Sequence, residues 1–144
     1  GFSMGGVFGR GRAGGPPPPG AALVVLDLDD FKQINDRHGH EVGDRVLERV
    51  GLSLRELEGV LAGRFGGEEF VLLFRHVTAD EAIARCQSLR VELAASEVEG
   101  IHITVSMGVA HCQGEWHFDS LFRRADDALY RAKREGKNRV CQAA

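Results

Sequence analysis

The sequence predicts an α+β fold, and three observations carry that reading. Two uninterrupted apolar runs of strand length, residues 23–26 and 70–74, are too short for helices, and the second follows the glycine pair Gly66-Gly67 as one arm of a hairpin. Three longer segments repeat apolar residues at spacings of three and four, the mark of helices with one buried face. The elements follow the order β-α-α-β-β-α-β-α-β, so hairpin strands are interleaved with helices that must pack on them.

Each element has its own warrant. The first strand, residues 23–26, runs into Asp27-Leu28-Asp29-Asp30, and Asp29 or Asp30 is expected to N-cap a helix that begins near Phe31. A second helix starts near Glu41, with Val42, Val46, Val50, Leu54 and Leu57 on its buried face. Gly43, in its first turn, reads either as room for a ligand or as a helix start set tight against the sheet. Leu61 and Phe65 belong to a strand, Gly66-Gly67 supply a turn with positive φ, and residues 70–74 return. A third helix covers 79–96, with Ile83, Cys86, Leu89 and Leu93 inward. In the strand that follows, Ile101, Ile103, Val105, Met107 and Val109 alternate with mostly polar residues, which predicts a half-buried strand. The last helix, 118–135, buries Phe122, Ala125, Leu129 and Ala132, ends at Gly136 and leads into a short strand at 139–141.

Composition bounds the function. A chain of 144 residues with 43% hydrophobic and 27% charged residues fits one folded domain, and a net charge of −3 offers no broad basic surface for nucleic acid. No apolar run approaches a membrane span. Cys86, Cys112 and Cys141 are odd in number and contain no C-x-x-C pair, so they read as structural thiols of a reducing, cytoplasmic compartment. Residues 1–20 differ in kind: seven glycines between Gly1 and Gly15, then Pro16 to Pro19, predict a disordered arm or linker ahead of a domain spanning 21–144.

The chemistry concentrates in two acidic clusters. Glu68-Glu69 follow the glycine pair, and adjacent carboxylates are costly to hold together unless a cation or a reacting proton compensates them. Asp27, Asp29 and Asp30 end a buried strand just before a helix start, whose free N–H groups suit an anion, with Lys32 in reach of a phosphate. If the two strands are neighbours, Asp27 and Glu68 share a pocket of oxygen ligands beside a phosphate site, a layout for nucleotide chemistry.

At these residues the chain resembles the GGDEF domains, which are diguanylate cyclases. Asp27 to Asp44 reproduce D-x-D-x-F-K-x-x-N-D-x-x-G-H-x-x-G-D; Arg64 to Phe70 stand as R-F-G-G-E-E-F; Thr104 to Ala110 match T-x-S-x-G-V-A; and Ala125 to Asn138 match A-D-x-A-L-Y-x-A-K-x-x-G-[RK]-N. The resemblance covers roughly residues 22–140. It implies a central, largely antiparallel five-stranded sheet flanked by helices, like a polymerase palm. It also implies condensation of two GTP into cyclic di-GMP and two pyrophosphates by a homodimer. Asp27, the Leu28 carbonyl and Glu68 would hold Mg²⁺ or Mn²⁺; Glu68 or Glu69 would accept the proton; Asn35 and Asp44 would read guanine with His40 beside them. Lys32, Lys133 and Lys137 would meet phosphates, and Phe31 would lie at the substrate site or, more simply, in the core.

Departures from the family qualify this. The R-x-x-D product-binding pair falls on Leu57 and Val60, so an inhibitory site of that kind is not expected, and the family segment D-x-L-T-G-L-x-N-R before the first strand is replaced by the glycine- and proline-rich arm. Position 137 carries lysine where arginine is more frequent. His38 and His40 stand two apart with no cysteine cluster nearby and are not read as a zinc pair. Arg64 reads either as substrate support or as a strand-end partner for a surface acid. The main expectation is a cyclase domain that belongs with an upstream sensory part. The alternative is a module that binds nucleotide or cyclic di-GMP with little turnover.

Overall fold

The computed structural model describes residues 19–144. Residues 1–18 of the expected arm lie outside them, and Gly20 already opens the first strand. The chain order is β1 (Gly20–Leu28), α1 (Phe31–His38), α2 (His40–Arg55), β2 (Val60–Arg64), β3 (Glu69–Val77), α3 (Ala79–Ala95), β4 (Glu97–Val98), β5 (Ile101–His102), β6 (Val105–Cys112), α4 (Phe118–Arg134) and β7 (Val140–Gln142). A five-stranded sheet in the order β2-β3-β1-β6-β7 forms the centre, and only the β6–β7 pair is parallel.

β1 is the middle strand, and it reads as a continuous apolar run because both its faces are covered. Ala22, Val24, Leu26 and Leu28 join Val46, Val50 and Leu54 of α2 and Leu89 and Leu93 of α3 in the larger core. Leu23 and Val25, pointing the other way, meet Leu121, Ala125 and Leu129 of α4. β6 corrects the sequence reading. It is buried on both faces over its first six residues, and the expected single strand breaks after His102, leaving β4 and β5 as a separate two-stranded hairpin. The break has a local cause: Thr104 is drawn to Asp29, accepting a hydrogen bond from its N–H at 2.9 Å and donating its hydroxyl to its carboxylate at 2.7 Å. Gly108 lets α4 lie directly on β6, since a Cβ there would stand 2.0 Å from the Ala125 carbonyl oxygen.

Three turns depart from expectation. The Gly66 and Gly67 backbones are not in the positive-φ region. The connection is longer than a two-residue turn, closes through Phe65 N–H to Glu69 O at 2.8 Å, and has its glycine carbonyls bound by Arg64. Asp30 precedes α1 with φ 55° and makes no side-chain cap; its carboxylate is taken by Lys137. Gly43 is set tight against α1 and not the sheet: a Cβ there would fall 1.9 Å from Asn35 Oδ1, so the glycine lets α2 pack against α1. The end of α4 is as expected: Lys137 N–H reaches Ala132 O at 2.9 Å and Gly136 N–H reaches Lys133 O at 3.4 Å, a Schellman closure with Gly136 at φ 129°.

Candidate active site

The carboxylates converge because of strand register. Asp27 lies opposite Glu69 across the β1–β3 pair and opposite Ser106 across β1–β6, and directly paired residues present their side chains on the same face of a sheet. Leu28 N–H reaches the Glu68 carbonyl at 3.4 Å, which fixes the hairpin base against the end of β1. α4 crosses that face, and its last turn brings Lys133 over the end of β1. Lys133 Nζ stands 3.6 Å from Asp27 Oδ2, 3.3 Å from the Leu28 carbonyl oxygen and 3.0 Å from Asp29 Oδ1.

Asp27 is the perturbed group of the site. Its side chain is only 18% exposed and its Oδ1 is buried with no hydrogen-bond partner. Burial pushes the carboxyl from 3.8 up to about 6; Lys133 opposes the shift, and the charges of Glu68 and Glu69 add to it. Glu69 is also raised, by burial first and then by Asp126 of α4 and Glu68. An orphaned carboxylate oxygen beside a backbone carbonyl and a glutamate pair is a donor set of hard oxygens that suits Mg²⁺ or Mn²⁺. Among the described residues no three His, Cys, Asp or Glu side chains are already gathered as a ligand cluster. The cation lodged at these oxygens is Lys133.

Asp29 was not among the expected site residues, although the D-x-D spacing puts it on the same face as Asp27. Its carboxylate accepts from Thr104 and Ser106 hydroxyls at 2.7 Å each, from Lys133 at 3.0 Å and from the Asn138 N–H at 3.0 Å. Burial alone would raise its pKa, but the hydrogen bonds from Ser106 and Thr104, with Lys133, outweigh that and hold it below the usual carboxylate range. Asp29 thereby ties β6 and the α4–β7 loop to the end of β1.

The remaining expected residues divide. Lys137 pairs with Asp30 at 2.6 Å, one residue beyond the Asp29 junction. Lys32 projects into solvent, 90% exposed, and pairs with Asp36 at 3.2 Å. Phe31 is 7% exposed and packs in the core, the simpler of its two readings. Asp44 lines a cleft of about 600 Å³ between α2 and β2–β3, together with Glu41, Leu47, Arg55, Arg64 and Phe70. Asn35 and His40 do not line that cleft. Asn35 sits on α1 beside Gly43 with its Oδ1 buried and unpartnered, while His40 is exposed at the start of α2. Arg64 pairs with no surface acid among the described residues; it binds the Gly67 carbonyl through Nε at 3.0 Å, shapes the hairpin tip and lines the Asp44 cleft. Leu57 and Val60 pack against the core.

Comparison with known proteins identifies the family. The family model described as diguanylate cyclase, GGDEF domain, matches residues 18–139. The diguanylate cyclase DgcM of Escherichia coli K12 is 46% identical over 125 residues, covering 85% of this chain and 30% of the relative. The diguanylate cyclase DgcP of Pseudomonas aeruginosa is 40% identical over 124 residues, covering 82% of this chain and 18% of the relative. The chain thus spans less than a third of either protein. Among solved structures, the GGDEF domain of DgcB from Caulobacter crescentus in complex with c-di-GMP aligns with TM-score 0.80 at 35% identity, covering 85% of this chain and 77% of that one. The active GGEEF domain of a diguanylate cyclase from Vibrio cholerae aligns with TM-score 0.81 at 31% identity, over 86% and 83%.

Proposed function

The chain belongs to the GGDEF family of diguanylate cyclase domains, and we propose on that footing that it condenses two GTP into cyclic di-GMP and two pyrophosphates. In each half reaction the 3′-oxygen of one GTP forms a bond to the α-phosphorus of the other, the bond from that phosphorus to pyrophosphate breaks, and the hydroxyl proton leaves to a base. One chain supplies one GTP site, so turnover needs two copies facing each other, a homodimer at least in passing. The observation that carries the proposal is the convergence of Glu68-Glu69 and Asp27 beneath Lys133.

Asp27, the Leu28 carbonyl and Glu68 would hold a divalent cation, Mg²⁺ or Mn²⁺. When bound, the ion supplies neutralisation of the charge that develops at phosphorus and makes the attacking hydroxyl more acidic. The chain's own groups do the rest. Glu69, raised by burial and by Asp126 and Glu68, is the better placed of the two glutamates to take the hydroxyl proton, since a base is most useful when its pKa approaches the working pH. Lys133 and Lys137, four residues apart around the end of α4, would leave Asp27 and Asp30 respectively for the β and γ phosphates, with Lys32 reaching from α1. Asp44 would accept from the guanine N1–H and exocyclic amine, a pair that adenine does not present together; Asn35 offers its unpartnered amide oxygen from α1, beside Gly43, with His40 exposed at the start of α2.

The reading also places the domain in the cytoplasm, where GTP is made, next to a sensory or dimerising part in a longer protein; most of the length of the relatives lies outside the matched segment. Among the described residues no helix is long and apolar enough to cross a membrane. The test is incubation with GTP and Mg²⁺ over a range of protein concentrations, with nucleotides resolved by mass spectrometry and a Glu68→Ala, Glu69→Ala double variant alongside. Cyclic di-GMP that rises more steeply than linearly with protein, and only with the glutamate pair, is expected. Bound nucleotide with no product at any concentration would overturn turnover in favour of a binding module.

A further inference from the structure

The ammonium of Lys133 occupies a position that the proposed function reserves for something else. Two of its three oxygen contacts, the Leu28 carbonyl at 3.3 Å and the Asp27 carboxylate through Oδ2 at 3.6 Å, belong to groups assigned to the divalent cation. An ammonium and a divalent ion drawn to the same two groups would stand only a few ångströms apart, where their repulsion is large even at the effective dielectric of a protein surface. Both cannot stay.

We propose that Lys133 competes with the divalent cation for Asp27 and Leu28, and that nucleotide phosphates relieve the competition by giving Lys133 a second partner. The inference rests on the metal assignment above and adds a coupling that the assignment does not contain: metal and nucleotide bind with positive cooperativity through one side chain. Three features of the site support it. Lys133 has a third contact, Asp29 Oδ1 at 3.0 Å, that it keeps while leaving the other two, so retreat does not strand its charge. The Asp29 side chain is only 2% exposed and is held by Thr104, Ser106 and the Asn138 N–H independently of Lys133, so this anchor stays put. Lys133 itself is 24% exposed on a flexible stem, so its ammonium can swing away from Asp27 without moving the helix. Asp27 is meanwhile half ready: Oδ2 faces Lys133, and buried Oδ1 faces no donor.

The experiment measures Mn²⁺ binding by the loss of the free-ion paramagnetic resonance signal, so no turnover is needed. The wild-type chain is compared with Lys133→Met, Arg134→Met and Asp27→Asn. Each is titrated alone and with saturating α,β-methylene GTP, the analogue's own Mn²⁺ uptake being subtracted. Arg134→Met removes the same charge from the neighbouring, exposed position. Without nucleotide, Lys133→Met should bind Mn²⁺ at least about tenfold more tightly than wild type, a small part of the repulsion between such neighbouring cations. The factor by which the analogue tightens Mn²⁺ binding should shrink correspondingly, and Arg134→Met should behave as wild type. If Lys133→Met binds Mn²⁺ no more tightly than Arg134→Met, the inference is overturned. Asp27→Asn separates this failure from failure of the metal assignment: an undiminished Mn²⁺ affinity there overturns the assignment itself. Thermal melts accompany each variant, and Lys133→Gln replaces the methionine variant should the latter not fold.

Discussion

Asp29→Asn should be among the most destabilising isosteric changes available to this chain, and the reason is one of donor counting. The carboxylate accepts four hydrogen bonds, with Ser106 and Lys133 on Oδ1 and Thr104 and the Asn138 N–H on Oδ2. A carboxamide keeps one acceptor and turns the other oxygen into an NH₂ donor. The two hydroxyls can rotate and accept, but the Lys133 ammonium and the Asn138 N–H only donate. Whichever way the amide is placed, one of these two meets another donor. The change therefore forfeits charge-assisted bonds, each of about 1.5–3 kcal/mol, and leaves a buried donor unpaired, so a loss of about 3–5 kcal/mol is expected, a large share of a typical total of about 5–15 kcal/mol. Urea unfolding of both chains at neutral pH checks it. The pH dependence gives a second check. Because the folded-state pKa of Asp29 is depressed, its contribution is present above the unfolded value of 3.8 and is lost as pH falls through the lowered folded value, so the gap between wild type and variant should narrow in acid. A gap under about 1 kcal/mol at neutral pH, or one that acid leaves unchanged, would refute the reasoning, since either means the network is not doing what its geometry implies.

Asp27 gives the opposite sign. With its pKa raised from 3.8 to about 6, its cost to stability is present above pH 6 and is relieved as pH falls toward 3.8, a difference of about 3 kcal/mol; without metal, Asp27→Asn should remove that dependence, as urea unfolding across pH would report. The same proton competes with the metal, so Mn²⁺ affinity should fall about tenfold per pH unit below pH 6, and a flat profile would exclude Asp27 as a ligand. Gly108→Ala should cost 3 kcal/mol or more, at the upper end of overpacking, because its Cβ would meet the α4 backbone at Ala125 O and Leu129 N, 2.0 and 2.3 Å away, with no flexible side chain to yield; a melting temperature within about 2 °C of wild type would contradict that contact. Asp44→Ala should lower the preference for GTP over ATP by about tenfold or more in competition binding, and a variant that rejects ATP as strongly as before would remove Asp44 from base recognition.

Most elements could be read from the sequence because their patterns have a single physical cause. The run at residues 23–26 is apolar throughout since β1 is covered on both faces, and the helical spacing of Val46, Val50 and Leu54 or of Cys86, Leu89 and Leu93 follows from one buried stripe. β6 was misread as half-buried because Ser106, Gly108 and Ala110 look like the exposed half of an alternation. Gly108 and Ala110 are instead small residues beneath α4, and Ser106 is a buried hydroxyl spoken for by Asp29. Alternation between large and small residues and alternation between buried and exposed look alike until the covering helix is placed.

The site shows a sharper version of the same limit. Which residues carry charge near one another was legible, since motif spacing put Asp27 at a strand end and Glu68-Glu69 at a hairpin, and sheet order needed only to make β1 and β3 neighbours. Which charge answers which was not, because Lys133 meets Asp29 and Asp27 across more than a hundred residues of sequence, and Lys137 meets Asp30 across a like distance. The Schellman end of α4 settles these pairings. It sets the helix to stop where Lys133 overhangs β1, then turns the chain so that Lys137 and Asn138, both at positive φ, face the D-L-D-D segment. Two of the three lysines read as phosphate contacts, Lys133 and Lys137, are thus already neutralised by aspartates, one of which is the expected metal ligand. A nucleotide entering this site would exchange ion pairs and not meet free charges, so its affinity would reflect a difference between two sets of contacts and be smaller than the phosphate contacts alone would suggest. What the site gains is order of assembly: Asp27 becomes fully available when something else has taken Lys133.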